Sequence, residues 1–298
     1  MSIKNCTKKI LFSLSSGLTD ALYRRPFFDS EAKKRRSLKD EILHLDLVIT
    51  ECCSLKCRDC SNMMQYYQKP ENIPSEAVIN DLGRLLDLVR VTELKIIGGE
   101  PFVNQKTLSD VIRFLSGKYG EKVDCINIIT NGTIVPGDDC LAALSDNPKV
   151  MVTLSNYGKL SSHQDELIAV LKGRNIRYSM IDESFYWLDF GQPQEYKESE
   201  EFVRRQYKNC YNRKYCNTLF RGRLYVCPRQ AHGIHLGLLP DDKDGYVDLD
   251  SSAYDSDDEL KKAVLGIVKR EQYISACRYC INGKYIHVPR GVQKSREQ

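Results

Sequence analysis

From residue 42 onward the chain alternates between runs that read as buried strands and runs with helical spacing, and this rhythm limits the folds open to it. "ILHLDLVIT" (42–50) is a near-continuous apolar run of strand length. Residues 74–89 follow with a Pro-Ser start and apolar positions recurring at helical spacing. Further strands are expected at 93–98, 124–130, 150–155 and 176–181, with helices at 105–118, near 138–145 and at 163–173. Repeated strand–helix units imply a parallel sheet, either a barrel or a doubly wound layer. Near residue 200 the rhythm changes. "TLFRGRLYVC" (218–227) reads as a short hairpin turning at Arg221-Gly222, and an acidic loop (241–259) precedes one more helix.

A chain of 298 residues, 42% of them hydrophobic, can bury one large core or two modest ones. Its net charge of +4 gives no electrostatic case for nucleic acid as a partner. No run of 18 apolar residues occurs, so no membrane span is expected. The early "KKILFSLSSGLTDALYRR" is Ser-rich, short in its apolar part and lacks a cleavage site, so residues 1–40 read as a basic arm. The stretch "PDDKDGYVDLDSS" fails as a calcium loop. With Gly245 as the turn glycine, Pro240 falls at the first ligand position, and a solvated acidic loop is the better reading.

Twelve cysteines are many for this length, and they are clustered. Without an export signal the expected compartment is the reducing cytoplasm, where such clusters ligate metal rather than form disulfides. Cys53, Cys57 and Cys60 stand as C-x3-C-x2-C at the carboxyl end of the first strand. A zinc finger presents pairs completed by a second pair. Three thiolates on one loop suit three irons of a cubane cluster and leave the fourth iron open. Adjacent side chains on an extended or turning backbone point apart, so Cys52 is expected to be a bystander thiol. The next strand ends in "IIGGEP" (96–101), whose paired glycines permit close backbone approach to a ligand and whose Glu100 offers a carboxylate.

"CSLKCRDC" followed by "GGEP" resembles the radical S-adenosylmethionine (SAM) superfamily over about residues 42–200. The alternative on the residues alone is a zinc site beside a glycine turn. The resemblance implies an α/β fold: a partial (β/α)6 TIM-like barrel over 41–204 with a site-differentiated [4Fe–4S] cluster at its mouth. It also implies that Gly98, Gly99 and Glu100, with Pro101 beside them, face the amino group of SAM. Thr130 and Asn131 at the end of the third strand, and Ser155 and Asn156 at the end of the fourth, match positions that flank the methionyl or ribose groups. Asp59 stands where relatives carry an aromatic residue beside the adenine.

Cys210, Cys227, Cys277 and Cys280, with Gly222 at the hairpin turn, resemble the shorter SPASM/twitch extension of such enzymes. The resemblance implies a small α+β domain over 205–298 holding a second, auxiliary [4Fe–4S] cluster. On chemistry alone four thiolates could equally hold zinc. Cys216 could replace Cys210 as a ligand, or serve as a hydrogen-atom donor to a substrate radical. His232 and His235 read as loop residues rather than ligands, and Cys6, Cys125 and Cys140 as structural.

The chemistry implied is reductive cleavage of SAM to a 5′-deoxyadenosyl radical that abstracts hydrogen from a substrate C–H bond. Oxidation follows if the auxiliary cluster takes the second electron, and epimerisation if a thiol returns hydrogen. Two substrate classes compete. Only some 40 residues precede the first strand, too few for a peptide-leader recognition module, which favours a sugar or polyol over a ribosomally made peptide. The expected reductant is a flavodoxin or ferredoxin. An iron–sulfur electron carrier or scaffold is the non-enzymatic alternative, and it would not need the "GGEP" motif. "ESFYWLDFGQ" (183–192) either lines the pocket with Tyr186, Trp187 and Asp189 or caps the barrel.

Overall fold

The computed structural model describes residues 40–294; Cys6 and the basic arm before residue 40 lie outside them. Five parallel strands form the centre: β1 (Glu41–Val48), β2 (Arg90–Ile97), β3 (Val123–Thr130), β4 (Val150–Ser155) and β5 (Arg177–Ile181), in spatial order 5-4-3-2-1. The crossovers are α1 (Ser75–Leu88), α2 (Gln105–Ser116), α3 (Asp138–Asp146) and α4 (Gln164–Gly173). In α1 the buried residues Val78, Leu82, Leu85 and Leu86 share one face, as the sequence spacing requires. Each fully buried leucine there contributes about 2 kcal/mol.

Side chains alternate across the strands, so the sheet has two different faces. Leu45, Leu47, Leu94, Ile96, Ile126, Ile128 and Val152 share one face and belong to the apolar core. The opposite face carries a buried polar ladder. His44 Nδ1 lies 2.8 Å from Glu93 Oε2, Asn127 Nδ2 donates to Glu93 Oε1 (3.0 Å), and Thr153 Oγ1 donates to Asn127 Oδ1 (2.8 Å). Lys95 Nζ donates to Asp46 Oδ1 at 3.2 Å in the same layer. Polar groups buried this way are tolerated because they satisfy one another.

The expected sixth barrel strand does not join this sheet beside β5. The next extended piece, β6 (Trp187–Leu188), pairs antiparallel with β10 (His287–Val288) instead. Turns on both sides cut the ladder short: Ser184 N donates to Asp182 Oδ1 and Gly191 N to Asp189 Oδ1, with Gly191 at φ 77°.

The hairpin expected at 218–227 is present as β7 (Asn217–Phe220) and β8 (Arg223–Tyr225), and Arg221 (φ 48°) and Gly222 (φ 77°) form its turn. Two positive-φ residues suit a two-residue hairpin loop. β7 lies parallel to β1, with Leu45 opposite Asn217, so the hairpin extends the main sheet on its other side. β9 (Tyr246–Asp248) adds a last edge strand inside the stretch expected to be an acidic loop. Three residues were too short a run for the alternation to register. One hydrophobic cluster contains Leu45, Leu219, Leu224 and Val264 alike. Around the hairpin stand α5 (Glu200–Asn209), α6 (Tyr211–Tyr215), α7 (Pro228–His235) and α8 (Asp257–Val268). Among the described residues no helix is long and apolar enough to cross a membrane.

Candidate metal centres and active-site cavity

The first cysteine loop leaves the carboxyl end of β1 and is laced to the end of β2. Gly99 N donates to Thr50 O (3.1 Å) and Glu100 N to Cys52 O (2.9 Å). A Cβ on Gly98 would overlap the Thr50 carbonyl oxygen; one on Gly99 would overlap the Cys52 carbonyl and lie 2.6 Å from Cys53 Cβ. The paired glycines are thus required by the approach of the cysteine loop itself. A buried carboxylate anchors the loop from below. Glu51, 3% exposed, accepts from Arg221 Nη2 (2.6 Å), Arg221 Nε (3.0 Å) and Glu71 N (3.1 Å), and His235 Nε2 lies 3.0 Å away.

Cys53, Cys57 and Cys60 line a single cavity of about 190 Å³ together with Gly98, Gly99, Thr130, Asn131 and Ser155. Burial pushes the thiols up, Cys53 to about 12 and Cys57 to about 11, with Cys60 raised for the same reason. Asn131 Nδ2 reaches Ser54 Oγ at 3.1 Å and Cys53 Sγ at 3.8 Å. Cys52 is not in the cavity wall; its amide donates to Thr50 Oγ1.

Three of the residues expected at the SAM site are not in the cavity wall. Glu100 is 0% exposed and turned away from the cavity; it accepts from Phe102 N (3.1 Å), Thr130 Oγ1 (2.8 Å) and Asn131 N (2.7 Å). It ties the end of β2 to the end of β3, and burial raises its carboxyl to about 7. Pro101 is buried at the start of a 3-10 turn, where its missing N–H costs nothing. Asn156 accepts from Gly158 N (2.7 Å) and shapes the turn after β4. Asp59 is held by its neighbour Arg58 and is absent from the cavity wall.

Tyr157, Ser61 and Asn62 carried no sequence signal, whereas Trp187 was a candidate. Tyr157 and Trp187 form an aromatic wall, their rings edge-on at 5.6 Å, and Ser61 and Asn62 add polar groups. Trp187 therefore lines the pocket, whereas Tyr186 is 59% exposed and Asp189 is spent on its turn. A C-terminal strap closes over the loop. Arg58 N donates to Val292 O, Lys294 N to Lys56 O, and Gln293 Nε2 to Cys57 Sγ at 3.4 Å.

Four more thiols gather beyond the hairpin. Cys210 joins α5 to α6, Cys227 is the residue before α7, Cys277 lies within a short 3-10 turn (Ser275–Tyr279) and Cys280 directly follows it. Gln206 on α5 clamps the last pair by donating to Cys277 O (3.0 Å) and Cys280 O (3.1 Å). Asn282 Nδ2 donates to Cys210 Sγ at 3.2 Å. Burial raises Cys227 and Cys280 to about 12, and negative charge on the others of the set raises each further. Among the described residues no three Cys, His, Asp or Glu side chains converge as one metal ion would require.

Cys216 is elsewhere. Its thiol hydrogen-bonds to Asp46 beside Lys95 and it does not line the cavity, so the expected hydrogen-donor role is not supported. His232 meets Tyr67 Oη at 2.8 Å, and burial lowers it to about 3. Neither it nor His235 belongs to the cysteine sets.

The family model of the 4Fe-4S single cluster domain matches residues 46–155, the stretch that runs from the cysteine loop to Ser155. With three thiols and paired glycines on one cavity, that match points to a [4Fe–4S] cluster held by this part of the chain. No curated protein sequence matches the chain. Among solved structures, anSMEcpe with bound AdoMet aligns at 19% identity and TM-score 0.38, covering 46% of this chain and 41% of that one. SuiB of Streptococcus suis aligns at 17% identity and TM-score 0.39 over 72% of this chain and 49% of its own. HydG, described as a maturase of the [FeFe]-hydrogenase, aligns at 15% identity and TM-score 0.35 over 81% and 54%. This chain thus spans under half of the first of these.

Proposed function

We propose that this chain is a radical SAM enzyme, an oxidoreductase that removes hydrogen from a C–H bond of a sugar- or polyol-type molecule and passes the second electron to an auxiliary cluster. One observation carries the proposal: three thiols line a cavity in which, among the described residues, no fourth Cys, His, Asp or Glu side chain takes part. That donor set fits a cubane with one iron left for an exogenous ligand. Cys53, Cys57 and Cys60 would hold this cluster, which would supply one-electron reduction of bound SAM and thereby hydrogen abstraction from the substrate.

The chain's own groups do the rest. The backbone of Gly98 and Gly99 offers a close surface for the methionyl end of SAM, and Thr130, Asn131 and Ser155 offer polar contacts along the strand ends. Tyr157 and Trp187 exclude water from one side. Ser61 and Asn62 lie on the same cavity as these rings, the mixture of apolar and polar groups that suits a hydroxyl-bearing ring.

Four thiolates alone suit zinc or iron–sulfur; the match of the first cysteine loop to a 4Fe-4S single cluster domain supports reading the second set as iron–sulfur too. Cys210, Cys227, Cys277 and Cys280 would hold this cluster with no position open, which suits electron acceptance. The thiol of Cys216 lies away from the cavity, which favours oxidation over epimerisation.

The test is anaerobic incubation with reductant, SAM and panels of sugars, polyols and peptides, following 5′-deoxyadenosine and substrate mass. A sugar or polyol losing two mass units is the expected result. A peptide as the only substrate, or unchanged mass with deuterium uptake from solvent, would overturn the substrate class or the oxidation respectively.

A further inference from the structure

Arg229 lies two residues beyond Cys227 on α7 and is only 4% exposed. Its guanidinium is bound entirely by backbone carbonyls. Nε and Nη2 donate to Tyr279 O (3.3 and 3.1 Å), and Nη2 donates also to Gly191 O (2.8 Å) and Gln192 O (3.2 Å). All of these acceptors are neutral, and among the described residues no carboxylate pairs with it. A buried cation costs several kcal/mol when its counter-charge is missing, so buried charges are normally paired or held against a metal site.

Its position indicates where the counter-charge belongs. Tyr279 immediately precedes Cys280. On the other side, Gln192 accepts on its side chain from Tyr66 Oη (2.5 Å). Tyr66 N bonds Met63 O, and Met63 N bonds Cys60 O. Arg229 is thus tied to the carbonyl beside Cys280 of the second set and, through Gln192, Tyr66 and Met63, to the loop that carries Cys60 of the first. Cysteines bind iron as thiolates, and a cluster's reduction potential follows its net charge and surroundings.

We propose that Arg229 is the counter-cation shared by the two iron–sulfur clusters, a positioning residue that raises both reduction potentials and favours electron acceptance by the auxiliary one. The inference rests on the two-cluster reading above. Reduction adds a negative charge, which a fixed buried cation stabilises, and neutral carbonyls leave that cation unspent. The effect is larger at the second set, where the guanidinium bonds to the carbonyl next to Cys280.

The test is potentiometric titration of the reconstituted full chain, read by electron paramagnetic resonance, for wild type, R229Q and R229K, after counting iron. About four irons in the wild type would sink the two-cluster reading itself. With about eight irons, R229Q is expected to disfavour one-electron reduction of both clusters by about tenfold or more, ~59 mV, more for the auxiliary signal. R229K retains the charge and should move much less. Unchanged potentials in iron-replete R229Q would overturn the proposal. Should R229Q lose iron, R229K decides: near-wild-type potentials support the shared-charge role, whereas an iron-replete R229K shifted tenfold refutes it. Iron loss in both variants would assign Arg229 a purely structural role, which also refutes it.

Discussion

The two cysteine sets are built on opposite plans. The first is a single loop in which Cys53, Cys57 and Cys60 fall within one turn of chain, pinned by backbone bonds from the end of β2 and strapped by Gln293. It ends with three thiols on a cavity. The second draws on separate places: the α5–α6 junction, the residue before α7, the middle of a 3-10 turn and the residue just after it, joined by side-chain clamps from Gln206 and Asn282. An incomplete ligand set at a cavity suits binding of an exogenous partner, and a complete one away from it suits electron storage. The difference teaches that local sequence spacing encodes the reactive site, while tertiary packing encodes the accessory one.

The largest effect should come from removing the first set outright. Cys53, Cys57 and Cys60 changed together to Ala should lower bound iron from about eight to about four and abolish 5′-deoxyadenosine formation. Iron falling to zero would mean that the two sets do not assemble independently. Next is Gly99→Ala, whose Cβ would overlap the Cys52 carbonyl. It should displace the loop and lose SAM cleavage while leaving the second set's iron in place. Retained cleavage would show that the laced backbone is not what positions Cys53.

A smaller and more selective effect separates the hairpin cysteines. Cys210→Ala should lose auxiliary iron, whereas Cys216→Ala should keep both clusters and remain active, since its thiol is bound to Asp46. Loss of iron in the latter variant would move the ligand by six residues along the chain.

These cases also show how much was legible in the sequence. The strand–helix rhythm was plain because each element buries one face at its own period, as Leu45 and Leu47 or Leu82 and Leu86 illustrate. The hairpin was legible from Arg221-Gly222, because two positive φ values need such a pair. The sixth barrel strand was expected from the resemblance alone, and the turns at Asp182 and Asp189 that stop it act through side-chain bonds that hydrophobic periodicity does not register. Glu100 was assigned to the ligand on motif grounds, yet its partners Thr130 and Asn131 arrive from another strand end. Gln206, Arg229 and Gln293 were invisible for the same reason: their partners lie far away in sequence.

The smallest effect concerns Glu100 in the protein without cofactors. Its folded-state carboxyl is raised to about 7 from the ordinary 4.5. The folded state then binds more protons than the unfolded one between these values, so stability falls as pH rises through that window. The group's contribution is fully present below about 4.5 and lost above about 7. Glu100→Gln should flatten that dependence in thermal melts. An unchanged slope would place the titrating group elsewhere.

The account turns on one site being open and the other closed. Electron paramagnetic resonance of the fully reconstituted, reduced protein, recorded with and without SAM, tests this most directly. Two cluster signals are expected, and SAM should shift the one lost in the Cys53/Cys57/Cys60 variant while leaving the other unmoved. A SAM-induced shift that survives in that variant, or a spectrum indifferent to SAM, would contradict the account.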